Sequence, residues 1–421
     1  MLTSKVGVEV NMNEILRMEY LNQIREYKDK HRIKVITGIR RSGKSTLLSQ
    51  FKDVLKNEFK INSSQIIDYD FNNKELAELT WKELLHQIED KSVNNKINYV
   101  FLDEIQEIKD FEKCVITLFE SKKFKYDLYI TGSNSNMFSS NIATVFTGRS
   151  REIKLFPFSF KEYFQYVAKQ LNWKDREMAF EKYVRFGGLP IIFEDLENEK
   201  VTKETLIDVR NDTLNKDIKK RHKIRNYNEF DKIVPYLFDH IGQRLEITNI
   251  VNFIHTNNNQ NLSRKTINRF ILWLEEAVLI YRAYFFSTTS KRTLLTAGKI
   301  YASDTGIRNT FSQFKNVNFG SLLENIVFIE LKHRGYDVSI GKMYDGKEID
   351  FVASKDNERM YIQVTNSLGT HQIQEREINN LLSIKDNREK IILVKNSDSY
   401  INENGIKIIN LVDWLLNRND I

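Results

Sequence analysis

Residues Gly38-Ile39-Arg40-Arg41-Ser42-Gly43-Lys44-Ser45-Thr46 bring two glycines, a lysine and hydroxyls together in a spacing suited to holding phosphate. The pattern is a glycine, four free positions, then Gly-Lys-Ser. An apolar run, Ile33 to Ile36, precedes it, and Thr46-Leu47-Leu48 starts a helical pattern after it. Glycines let the backbone curl so that successive N–H groups and the N-terminus of the next helix point at one anion. In such a loop Gly38, Arg40, Arg41, Ser42, Gly43 and Thr46 line the cradle. Lys44 reaches the β and γ phosphates of a nucleotide such as ATP, and Ser45 holds Mg²⁺.

Further along, Tyr99-Val100-Phe101-Leu102 ends in Asp103-Glu104. A buried strand with this ending delivers one carboxylate, Asp103, to the metal and sets the next, Glu104, beside it to polarise an attacking water. A third apolar run, Asp127 to Ile130, leads into Thr131-Gly132-Ser133-Asn134, where Ser133 or Asn134 is the candidate to orient the water or read the γ phosphate; the alternative is a plain turn. Thr147-Gly148-Arg149-Ser150-Arg151 follows. Arg149 first, and Arg151 second, are candidates to stabilise charge on a transferred phosphoryl group, in cis or from a second subunit; the alternative is a surface arginine pair.

These segments must be carried by alternating helices and strands. A helix capped by Asn13 and running to about Lys30 precedes the loop strand. Gln65 to Phe71 reads as a second strand and Trp81 to Glu89 as a helix. The succession Gly-Ile-Arg-Arg-Ser-Gly-Lys-Ser-Thr-Leu-Leu, Phe-Leu-Asp-Glu-Ile-Gln, Ile-Thr-Gly-Ser-Asn-Ser, Thr-Gly-Arg, Leu155 to Tyr163 and Phe186-Gly187-Gly188-Leu189-Pro190 resembles prokaryotic AAA-like ATPases with a C-terminal domain of unknown function. The resemblance spans nearly the whole chain. It implies an α/β P-loop NTPase core around a central parallel sheet, with an extra strand between the two motif strands.

With 421 residues the chain exceeds what one core serves, so two to three domains are expected. The net charge of +7 permits nucleic-acid binding without requiring it. The single cysteine, Cys114, excludes an internal disulfide and a multi-cysteine zinc site, and its helical neighbours mark it as a buried structural thiol. No stretch approaches the roughly 20 apolar residues of a membrane span, and Met1 to Val10 lacks a signal-peptide core, so a cytoplasmic location and no membrane partner are expected.

Beyond the core, 161–227 reads as a helical linker or lid, with Gly187 to Pro190 as a hinge and a basic run from Arg210 to Arg225 that is either a solvated helix face or a phosphate contact. Residues 228–305 resemble a winged helix, with helices near 228–242 and 248–255, a third opening at Ser263, and two strands around a wing tipped by Lys291 and Arg292. Arg264, Lys265, Asn268 and Arg269 form the outer face of the third helix and are the candidate DNA contacts. The remainder, 306–421, resembles the restriction-endonuclease-like fold of the PD-(D/E)XK group. That resemblance assigns Glu324, Asp350 and Gln363 to a metal-binding nuclease site. The lysine expected at the fourth position is Thr365, with Lys342 on a neighbouring strand as the substitute, so the site is read as vestigial.

The expected chemistry is Mg²⁺-dependent ATP binding and hydrolysis by a core spanning 1–160, coupled to movement of modules that bind DNA, a protein or a second copy of the chain. A nucleotide-gated DNA switch and an active metal-dependent nuclease are the alternatives.

Overall fold

A computed structural model describes residues 15–133, 146–224, 227–258, 262–315, 319–368, 371–401 and 404–417. The chain divides into two compact units, Met1–Leu155 and Phe156–Ile421.

The first unit is built on a five-stranded sheet of β1 (Ile33–Thr37), β2 (Ile66–Asp70), β3 (Ile97–Asp103), β4 (Lys125–Gly132) and β5 (Ser150–Lys154), in the order β2-β3-β4-β1-β5. Every neighbouring pair is parallel, and β4 separates β1 from β3, as expected for the inserted strand. A parallel sheet is covered on both faces, so its central strands are buried and successive side chains enter different cores. Val35, Val100, Leu102 and Ile130 pack with Leu84, Ile88, Val115 and Leu118 of the helices Trp81–Lys91 and Phe111–Phe119. Ile36, Tyr99, Phe101 and Tyr129 pack instead with Leu21, Ile24, Leu47 and Phe51 of the helices Met18–Tyr27 and Lys44–Asn57. The first of these helices begins at Met18; Asn13, expected to cap it, lies outside the described residues. Cys114 is fully buried, and burial pushes its thiol up to about 12, as befits a packing residue.

In the second unit eight strands form one mixed sheet: β6 (Ile280–Ser287), β7 (Arg292–Ala302), β8 (Asp337–Lys342), β9 (Glu348–Lys355), β10 (Glu358–Thr365), β11 (Glu389–Val394), β12 (Tyr400–Ile401) and β13 (Lys407–Asn410). Their order is β12-β13-β11-β10-β9-β8-β6-β7. The three helices expected from 228 onward are Tyr227–Asp239, Ile247–Asn258 and Arg264–Glu276, the last capped by the Ser263 side chain accepting from Thr266 N–H. The hairpin that follows is no free wing. β6 pairs in parallel with β8, Phe285 opposite Ile340, so the hairpin is the edge of the C-terminal sheet and the expected division at 305/306 crosses a continuous ladder. Lys291, placed at the wing tip, donates to Asp386 (2.7 Å) and to the Tyr361 hydroxyl (3.2 Å).

The Gly187–Pro190 break also differs from its expected role. It lies inside the second unit, where Gly188 N–H donates to the buried Asp304 carboxylate (2.8 Å) and Phe158 N–H donates to Gly188 O (2.8 Å). A turn anchored from both sides is a fixed joint within that unit. No helix among the described residues is long and apolar enough to cross a membrane.

Candidate functional site

Strand β1 ends at Thr37, and the chain turns through Gly38 to Gly43 before the 14-residue helix Lys44–Asn57 begins. Two positions in this turn admit only glycine. Gly43 has φ +92°, in the left-handed region, and a Cβ on Gly38 would fall 2.3 Å from Leu155 O. Arg41 also adopts positive φ (+67°), so the loop alternates hand, the kind of turn from which anion nests are built, and the Ser42 N–H closes it by donating to Ile39 O (3.1 Å). No side chain caps the helix at Gly43, which leaves its first N–H groups and its positive dipole end for an anion. Ser42 Oγ is buried with no hydrogen-bond partner among the described residues, a donor a phosphate oxygen would satisfy.

Around this loop the two motif strands bring their carboxylates. Asp103, the last residue of β3, accepts hydrogen bonds from the Ser45 and Thr131 hydroxyls. Burial holds its carboxyl above the usual range, opposed by those hydroxyls and reinforced by the charges of Glu104 and Asp70. Glu104 has φ +54°, and Thr131 Oγ1 accepts its N–H (2.9 Å). Its carboxylate lies 3.3 Å from Lys44 Nζ and accepts from the Gln106 amide. Burial acts to raise its pKa, but Lys44, Gln106 and Arg40 together bring it below the ordinary glutamate value. Lys44 Nζ also donates to Gly38 O (3.2 Å) and Ile39 O (3.4 Å). Arg40 is half-buried, whereas Arg41 and Thr46 are exposed.

Thr131 and Gln106 carry contacts that the sequence reading did not assign. Ser133 is buried one residue beyond β4, and Asn134, the other candidate there, lies outside the described residues. Arg149 is corrected by strand register. In the β1–β5 ladder Ile33 pairs with Ser150 and Thr37 with Lys154, so Arg149 stands where β1 begins and the phosphate loop leaves where β1 ends. The 5 residues of β1 separate the two, at about 3.3 Å each, more than an arginine side chain spans. Arg149 pairs with Glu120 (2.9 Å) and Arg151 lies over the Tyr27 ring (5.2 Å), so neither serves its own loop.

A second group of charges lies in the other unit. Glu324, from the helix Phe319–His333, accepts from Lys299 Nζ (3.0 Å) and the Tyr301 hydroxyl (3.4 Å). Asp350 N–H donates to Gln363 Oε1 (2.7 Å), and the Asp350 carboxylate accepts from Val364 N–H (2.8 Å). Burial first, then the Glu324 charge, pushes the Asp350 carboxyl up to about 8, with Lys299 opposing. The three residues assigned to a nuclease site therefore do meet. The lysine among them is Lys299 of β7, missed in the sequence, while Lys342 has its Nζ over the Phe285 ring (5.4 Å). Arg244 holds Glu348 from outside (2.8 Å). Among the described residues no group of three or more His, Cys, Asp or Glu is arranged to hold a metal ion.

On the third helix of the 227–276 region, Arg264, Lys265, Asn268 and Arg269 are all exposed.

The chain was compared with known proteins. The family described as AAA domain matches residues 30–164, and two described as domains of unknown function (DUF8612 and DUF4143) match 177–318 and 319–414. An uncharacterized protein of Haemophilus influenzae is 36% identical over 412 residues, covering 96% of this chain and 98% of that one. One of Methanocaldococcus jannaschii is 31% identical over 361 residues, covering 83% and 77%. Among solved structures, a Walker-type ATPase of Pyrococcus abyssi has a TM-score of 0.49 at 14% identity over 71% of this chain and 96% of that one. The Aeropyrum pernix ORC1 protein in complex with DNA has a TM-score of 0.35 at 10% identity over 72% and 93%.

Proposed function

We propose, from the premise that this chain belongs to the family of the Haemophilus influenzae and Methanocaldococcus jannaschii proteins and carries an AAA-type P-loop ATPase domain, that it hydrolyses ATP at the 38–46 loop and uses the cycle to act through its second unit. The observation that carries the reading is the hydrogen bond between the Ser45 hydroxyl and the Asp103 carboxylate: two oxygen ligands of opposite motifs share one point beside the uncapped helix end. A hydroxyl and a carboxylate so placed suit a hard divalent cation, and Ser45 and Asp103 are the residues that would hold Mg²⁺. When bound, the ion would neutralise phosphate charge.

Lys44 then has a defined task. Its ammonium pairs with Glu104 and two loop carbonyls, and a triphosphate, with its greater negative charge, competes for it. Losing that cation raises the proton affinity of Glu104, the direction a base needs in order to accept a proton from water. Gln106 keeps the carboxylate oriented and Thr131 holds the Glu104 backbone while Lys44 changes partner. Charge on the transferred phosphoryl would be stabilised by Arg149 or Arg151 of a second copy of the chain, since register removes both from their own loop.

The second unit is read as the responding part. Its 227–302 segment offers three helices and a hairpin, and its remaining α/β element is a nuclease-like fold in which Lys299 neutralises the acidic pocket and Thr365 replaces the usual lysine. We therefore read it as a holding module that does not cut. Isothermal titration tests the nucleotide assignment: wild type binds ATP with Mg²⁺, and Lys44→Ala loses binding by at least about 10-fold, the cost of one charge-assisted contact. Equal binding by the two proteins would remove the loop as the site.

A further inference from the structure

Two basic segments that are far apart in sequence become neighbours in the second unit. The π-helix Thr213–Lys220 ends in Lys220, Arg221, His222 and Lys223, and the other segment is the outer face of the helix Arg264–Glu276. His222 joins them. Its ring stacks on Trp273 (centroids 4.6 Å apart, planes at 16°), and its Nε2 lies 3.0 Å from Glu276 Oε2. Trp273 is one turn beyond Arg269, which is one turn beyond Lys265, so the stack extends the basic stripe of the helix directly into the 220–223 segment.

The basic residues of this region divide into paired and unpaired ones. Lys216 pairs with Asp212, Lys219 with Asp231 and Arg282 with Glu275. Lys220, Arg221, Lys223, Arg264, Lys265 and Arg269 are all exposed, and none is in an ion pair with a carboxylate among the described residues. Glu275 is taken by Arg282, and Glu276 is buried beside His222. Six like charges on one surface repel one another and concentrate a positive potential suited to a polyanion.

We propose that these six residues form one duplex-DNA surface. The helix Arg264–Glu276 enters the major groove with Arg264, Lys265, Asn268 and Arg269, while Lys220, Arg221 and Lys223 grip the flanking phosphates. A helix with its side chains is about as wide as the B-form major groove, whereas the major groove of A-form RNA is too narrow to admit it. Lys291 takes no part, because its ammonium is held by Asp386 and Tyr361. The surface rests on the proposed function only in being one output of the second unit, and its binding does not depend on ATP turnover.

The test is fluorescence anisotropy of the full chain on a labelled DNA duplex of about two helical turns, over a salt series. Arg264, Lys265 and Arg269 also neutralise phosphates along the walls of the groove, so six phosphates in all give a log–log slope of about −5.4, a loss of about two-thousand-fold between about 50 and 200 mM salt. In Lys220→Ala/Arg221→Ala/Lys223→Ala the slope falls by about 3 and the salt-driven loss shrinks to about forty-fold; Lys265→Ala/Arg269→Ala lowers the slope by about 2. Lys44→Ala keeps wild-type DNA affinity, so a failure of the ATPase reading leaves this result intact. The proposal is overturned by no binding in low salt, by an unchanged slope in the 220–223 variant, or by duplex RNA competing as well as DNA.

Discussion

Thr131 joins the Asp103 carboxylate to the Glu104 backbone, and its removal has a calculable effect. Its hydroxyl donates to Asp103 and accepts the Glu104 N–H (2.9 Å) in a fully buried setting. Thr131→Val keeps the shape and deletes both bonds. A buried N–H without an acceptor costs about 1–3 kcal/mol, and here it belongs to a residue held at φ +54°, a conformation that depends on such restraint. If that cost falls on the positioning of Glu104 in the transition state, kcat drops by about 10- to 100-fold, at roughly 1.4 kcal/mol per decade. KM for ATP stays within about two-fold, because the Lys44 contacts are untouched. The pH profile adds an independent readout. The Asp103 carboxyl is already held up by burial, and loss of the Thr131 bond, which favours the ionised form, raises it further, so the acidic limb of kcat/KM moves to higher pH. Thr131→Ser retains the hydroxyl and restores both quantities. Phosphate release measured from pH 5 to 9 decides the matter: an unchanged kcat with an unshifted limb refutes the positioning role.

Two further outcomes concern the second unit. Burial pushes the Asp304 carboxyl up to about 6 from an ordinary 3.8, with the Gly188, Ile307 and Gly306 N–H groups opposing. A folded value above the unfolded one means its contribution is full below about pH 4 and is lost as pH rises through about 6, roughly 3 kcal/mol in all; denaturant titrations at pH 4 and 7 should show this difference in wild type and a smaller one in Asp304→Asn. Lys299→Met leaves Glu324 and Glu348 without their shared ammonium and should destabilise the unit by about 3 kcal/mol or more, most at neutral pH, with partial recovery in Lys299→Met/Glu324→Gln. A thermal melt equal to wild type would show that the ammonium does not hold the pocket together.

The phosphate loop was legible because its chemistry is local: Gly38, Gly43, Lys44 and Ser45 must occupy consecutive turns of one segment, so spacing alone carries the assignment. Asp103 and Glu104 were legible for the same reason, at the end of an apolar strand. Thr131 was not, because β4 continues to Gly132 and its pairing with β3, Leu102 opposite Ile130, sets which residue meets Asp103. That Arg149 stands away from its own loop was not legible either, since closeness in sequence to β5 says nothing about which rim of the sheet it occupies. The hairpin 280–302 could be read as a hairpin, but its partner β8 lies beyond two intervening helices, and Lys299 enters the acidic pocket only through that tertiary arrangement. Local patterns give strands and helices; parallel register and sheet edges are decided by contacts distant in sequence.

Lys44 and Glu104 divide the labour of holding the nucleotide and activating the water. In a single-turnover experiment with labelled ATP and Mg²⁺, Glu104→Gln should bind nucleotide to the wild-type extent while phosphate release falls by about 100-fold or more, the size of a lost general base. Phosphate release from Glu104→Gln at the wild-type rate would contradict the assignment of the water-activating base and, with it, the proposed hydrolytic mechanism.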